Sequence, residues 1–127
     1  MNAALLVFLG GGIGAVARWF LSETVQGIAN RGSWQRFPLG ILACNLLGCL
    51  AIGFMLGWLE SRAHLTWAKP LFITGFLGGF TTFSAFGADT HRLLSTNLHH
   101  HALANILAST VGGILMVLLG LRLVGKG

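Results

Sequence analysis

Apolar positions along the chain gather into four long stretches, and short polar breaks separate them. A helix crosses the hydrocarbon core of a bilayer with roughly 20 predominantly apolar residues, and four segments reach that length. The first covers residues 3–22 and carries one charge, Arg18, near its end. The second, 37–59, is uncharged. The third, 70–88, lies between Lys69 and Asp89, and the fourth, 102–121, is closed by Arg122 and Lys126. Asn30-Arg31-Gly32-Ser33 opens a polar turn after the first span, and Pro38 stands at the start of the second. Residues 60–64 link spans two and three, and Pro70 suits the first turn of a helix. Residues 91–101 carry the turn into span four. No linker is long enough to separate domains and no internal repeat stands out. Residues 1–127 therefore read as one all-α membrane domain of four transmembrane helices.

Composition sharpens this reading. Hydrophobic residues make up 54% of the chain and charged residues 9%, with a mean hydropathy of +0.77. A soluble domain carries about 25% charged residues, because its surface must meet water. The formal net charge of +5 does not point to nucleic acid. The basic residues form no stripe, as a phosphate-binding face would need. They punctuate apolar stretches as helix-end anchors facing the headgroups of a lipid bilayer. The start, MNAALLVFLGGG, lacks the basic n-region and A-x-A-like site of a signal peptide, and is expected to open the first helix. Cys44 and Cys49, five residues apart on one helix, do not share a face, so small apolar helix residues are expected rather than a disulfide.

The distribution of charge bears on assembly. With four spans, both termini and residues 60–69 share one side, which holds Arg62, Lys69, Arg122 and Lys126. Arg31, Arg36 and Arg92 lie on the other. Lys/Arg asymmetry normally fixes orientation, and this chain has almost none. Insertion in both orientations is expected, and with it an antiparallel homodimer closed by a two-fold axis in the membrane plane. Four such helices enclose little space, which favours a pore between protomers.

Chemistry concentrates in the third span, in G75-F-L-G-G-F-T-T-F-S-A-F86. Gly78-Gly79 followed by Thr81-Thr82 is poor helix-forming sequence. In lipid a helix break persists only where protein or a cavity satisfies the released backbone groups. A broken third helix is expected, with carbonyls near Gly78 and Thr81 free to coordinate a cation. Phe83 and Phe86 share a helical face, and aromatic ring edges are electropositive. Such a pair serves either packing or an anion path, and the flanking Thr82 and Ser84 hydroxyls favour the path. Asn45 is the one amide of the second span; it suits an interhelical hydrogen bond or an anion stripped of water. Asn105 allows the same two readings, with Ser109 one turn further along. Arg18 either snorkels to the headgroups or lends positive potential to a vestibule. His99, His100 and His101 are consecutive, diverge around a helix, and read as a solvated loop. Three carboxylates near span ends and no nucleophile–base pair argue against an enzyme.

Taken together, G10-G-G-I-G-A-V-A-R18, N45-L-L-G48 and the run 75–86 resemble the Fluc family of fluoride channels. The resemblance covers three of the four helices by motif and the whole chain by length and span count. It implies a multi-pass protein of the bacterial plasma (inner) membrane that exports fluoride ion passively, as a dual-topology homodimer with two antiparallel pores. By motif position it implies pore roles for Asn45, Thr82, Phe83, Ser84, Phe86 and Ser109, and a vestibule charge at Arg18. It implies a central structural Na+ held by the backbone carbonyls of Gly78 and Thr81. Ala85, Asn105 and Asp89 depart from the family pattern, where a hydroxyl residue, a tyrosine and a glutamate are common. Two rivals remain in view. A small multidrug transporter also has four short spans, but needs a membrane-embedded carboxylate in its first helix, where only Glu23 occurs, at the end. An accessory subunit without transport activity would leave Asn45 and the Thr/Ser/Phe run without a role.

Overall fold

The computed structural model describes residues 2–125; Lys126, placed at the end of the fourth span by the sequence, lies outside the described residues. Four helices long and apolar enough to cross a membrane follow one another: α1 (Ala3–Ala29), α2 (Leu39–Glu60), α3 (Lys69–Ser95) and α4 (His99–Leu123). No strand occurs among the described residues.

Three helices outrun the apolar stretches that predict them. A span ends at the bilayer, whereas a helix ends only at a chemical stop. At 1.5 Å per residue, α1 is about 40 Å long against a core of roughly 30 Å. It passes Ser22 and stops at Asn30, where the polar turn begins. There Gln26 ties the end of α1 to the start of α2: its Nε2 donates to the Phe37 carbonyl, and its Oε1 accepts from the Gly40 N–H, both at 3.2 Å. Beyond Ala88, α3 continues to Ser95, with Asp89 and Arg92 paired one turn apart at 3.1 Å. The connection to α4 therefore shrinks to residues 96–98, where Asn97 takes φ 58°, a left-handed conformation that asparagine tolerates. α4 begins at His99, so the histidine run forms its first turn rather than a loop.

Two seams hold the bundle. α1 packs along the first half of α3, residues 69–80, and α2 along Gly113–Leu123 of α4, with α1 and α2 in contact between them. Both seams depend on missing side chains, because small residues let membrane helices approach closely. A Cβ on Gly14 would collide with the Phe76 carbonyl, and one on Gly79 with the Gly11 carbonyl. Across the other seam, Gly53 faces the Val117 carbonyl and Gly120 the Leu50 carbonyl in the same way. Residues Lys69–Leu77 and Ala108–Gly112 run in the wider i→i+5 register of a π-helix. Large apolar side chains cover the outside, among them Phe8 at 75% and Phe83 at 82% exposed. A water-soluble monomer rarely shows so much apolar surface.

α3 changes partners midway. Thr81 (φ −90°, ψ 154°) and Thr82 (φ −150°, ψ 121°) are extended, and helix resumes at Phe83. After the break, the second half, Phe83–Ser95, leaves α1 and packs on His99–Leu107 of α4.

Candidate ion pathway at the helix break

The break can be followed bond by bond. In an uninterrupted helix each N–H donates to the carbonyl four residues back, so Thr82 would donate to Gly78, Phe83 to Gly79, and Ala85 to Thr81. Here Thr82 N–H donates instead to Asn45 Oδ1 at 2.8 Å. Ala85 N–H donates to Thr82 Oγ1 at 3.2 Å, which makes Thr82 the N-cap of the second half. The carbonyls of Gly78 and Thr81 thereby lose their helical donors. The Gly79 carbonyl gains a different one, Arg18 Nε at 3.1 Å. Buried peptide groups are rarely left unpaired, and the side chains that repair this break are Arg18 of α1, Asn45 of α2 and Thr82 at the break itself.

Asn45 makes both of its contacts with Thr82. While Oδ1 accepts from the Thr82 N–H, Nδ2 donates to the Thr82 carbonyl at 3.1 Å. This is the interhelical bond among the two readings of Asn45. It spends one of the two Nδ2 hydrogens, so the second reading keeps a donor.

Beside the break lies a cavity of about 340 Å³. Asn45, Thr82, Phe83, Phe86 and Ser109 line it, together with Gly78 and Thr81. Seven of the nine residues to which the resemblance gives a pore, vestibule or cation role thus meet in one cavity. The Phe83 and Phe86 rings are tilted by 44° with centroids 5.4 Å apart. Ser109 Oγ is buried without a hydrogen-bond partner. Neighbouring Thr110 spends its hydroxyl on the Ile106 carbonyl at 2.7 Å. No carboxylate and no basic side chain lines this space.

Two residues fall outside the cavity. Ser84 is exposed, and its Oγ lies 3.1 Å from Thr82 Oγ1. It touches the site through the cap rather than through the wall. Arg18 is half-buried, with its Nε on Gly79. Neither free snorkelling nor an unattached vestibule charge describes that position fully.

The remaining lining is apolar or small: Gly48, Cys49, Ile52, Ile73 and Leu77. Nothing in the sequence marks these out from spans full of similar residues. Gly48 alone left a signal, through N45-L-L-G48. A Cβ there would collide with the Thr81 methyl, so glycine admits the extended segment. A second, smaller cleft lies between Ser22, Glu23 and Gln26 of α1 and Asp89 and Arg92 of α3. The histidines form no metal-binding group with other ligands among the described residues.

The model of the family described as CrcB-like protein, Camphor Resistance (CrcB), matches residues 5–121. The chain belongs to that family. Among its relatives is a protein of Enterobacter sp. (strain 638), 43% identical over 121 residues, covering 94% of this chain and 91% of the relative. One of Phocaeicola vulgatus is 42% identical over 124 residues, covering 95% and 97%. One of Francisella philomiragia is 39% identical over 121 residues, covering 91% and 89%. Each of the three bears the name fluoride-specific ion channel FluC. CrcB-like membership agrees with the Fluc resemblance carried by the motifs of α1, α2 and α3.

Proposed function

We propose that this chain is one protomer of a fluoride-selective passive channel of the bacterial inner membrane, which lowers cytoplasmic fluoride. The observation that carries the reading is the cavity at the break, where hydroxyl, amide and phenyl groups converge without a carboxylate. Fluoride is small and strongly hydrated, so a selective path must replace its water with several donors. The unspent Asn45 Nδ2 hydrogen and the unpartnered Ser109 hydroxyl supply such donors. The edges of Phe83 and Phe86 supply electropositive C–H groups. The absence of a fixed charge from the wall lets the ion leave as readily as it enters. Accelerated loss of fluoride from the cell would follow its electrochemical gradient.

Assembly completes the proposal. The near balance of Lys and Arg on the two sides supports insertion in both orientations. The exposed Phe83 supports a wall shared with a second, antiparallel copy, giving two pores per dimer. A central Na+ fits the break chemically, since Gly78 and Thr81 carry the carbonyls relieved of helical donors. Oxygen donors of this kind suit a hard cation. Such an ion would hold two broken helices together at the dimer axis. A proton-coupled drug exporter lacks its carboxylate here, because Glu23 sits exposed at the far end of α1.

Purified protein in liposomes tests this, with chloride as the control anion. Fluoride efflux without chloride efflux is expected, and Phe83→Ile should slow it about tenfold, from the loss of an aromatic contact. No efflux from correctly folded dimer would sink the channel reading and leave an accessory subunit in its place.

A further inference from the structure

Asn105 is the one polar side chain buried to the level of the core among the described residues, at 2% exposed. Its Nδ2 donates to Thr90 Oγ1 at 3.0 Å, and Thr90 Oγ1 donates to the Phe86 carbonyl at 2.8 Å. Three groups in series thus join α4 to the turn of α3 that carries Phe86. Among the described residues, no other side-chain hydrogen bond crosses from Phe83–Ser95 to another helix. Among the described residues the comparable tether of that half is Asn45 on its cap residue, Thr82.

A buried amide is costly unless paired, and an apolar side chain would serve the α3–α4 contact without that cost. Polar residues within membrane helices fix how one helix sits on another. Asn105 grips a turn rather than an end, so its bond sets rotation about the helix axis. The Phe86 ring projects from that turn, and Phe83 lies one turn away with its ring 5.4 Å from that of Phe86. A modest rotation of this half would carry both rings relative to Asn45 and Ser109.

We propose that Asn105 is a positioning residue, which acts through Thr90 to fix where the Phe83 and Phe86 rings stand in the cavity. The functional consequence rests on the channel reading above; the rotational one does not. Two readouts separate them. The first is the 19F NMR signal of 4-fluorophenylalanine carried at position 86. The second is fluoride efflux from liposomes. Asn105→Leu and Thr90→Val should each move the 19F signal and slow efflux about threefold or more, the scale of a membrane hydrogen bond. The double variant should be no slower than the worse single, because both break one chain. Thr90→Ser keeps the hydroxyl and should stay near wild type in both readouts. An unmoved 19F signal in Thr90→Val, losses that multiply in the double, or an impaired Thr90→Ser would overturn the proposal. If Asn105→Leu fails to assemble, Thr90→Val against Thr90→Ser decides it. Wild-type protein without efflux but with the expected 19F shifts would overturn the channel reading and leave the positioning role standing.

Discussion

The two halves of α3 are held by opposite means. Residues 69–80 lie against α1 with backbone on backbone, at a seam where Gly10, Gly14, Gly75 and Gly79 leave no room for side chains. Residues 83–95 are held by side chains reaching across a gap: Asn45 on Thr82 and Asn105 on Thr90. The first half is fixed by steric exclusion, which is indifferent to chemistry provided the residues are small. The second is fixed by directional bonds, each of which can be removed without filling space. Both phenylalanines that line the cavity belong to this second half, while Ile73, Leu77 and Gly78 of the first half form another part of its wall. Close backbone packing gives a rigid wall, and hydrogen-bonded tethers aim side chains at it.

Substitutions on each side should break the contrast in different ways. The largest effect is expected at the glycine seam. Gly14→Val drives two methyl groups into the Phe76 carbonyl, and overpacking costs about 1–3 kcal/mol or more where backbone must move. Size-exclusion chromatography in detergent should show little monodisperse protein. Gly12→Val, with open space around it, should elute as wild type. An equal loss in both would mean that helix propensity, not close approach, governs α1.

Next comes Asn45→Leu, which leaves the Thr82 N–H and carbonyl without their partner. Each stranded group costs about 1–3 kcal/mol, so fluoride efflux should fall at least tenfold while the glycine seams still allow assembly. Efflux at the wild-type rate would show that the break holds itself. Thr82→Ala should act more gently. It removes the cap on the Ala85 N–H, worth about 1 kcal/mol, and efflux should fall about fivefold, with the loss read against Asn45→Leu in the same vesicles. Ser84→Ala is the smallest change. Its hydroxyl is exposed and outside the cavity, and surface changes stay within about 0.5 kcal/mol, so efflux should alter less than about twofold. A larger drop would place Ser84 in the path, as its motif position implies.

Much of the site is legible in the residues alone. Asn45 stood out as an amide in an uncharged span, and the Gly-Gly-Phe-Thr-Thr run as poor helix in a stretch that had to be helical. These signals survive in sequence because polar groups in lipid are expensive and therefore rare. Arg18 was equally visible, yet its partner was not. A contact between Arg18 and the Gly79 carbonyl, 61 residues apart, depends on how α1 crosses α3. Asn105 posed the same difficulty: the sequence offered an interhelical bond or a pore role, and only packing supplied Thr90.

What the sequence determined by itself was the number of spans, the sparse charges at their ends, the small residues for close seams and the place where α3 must break. Each follows from local composition against a fixed bilayer thickness, which any one segment meets alone. What only the tertiary structure decided was who repairs the break, where helices end beyond the membrane, and which apolar residues wall the cavity. Those depend on bonds between segments distant in the chain. Thr82 shows this on one residue: its N–H, turned from Gly78 to Asn45 on α2, releases a carbonyl, while its hydroxyl caps the half-helix that follows.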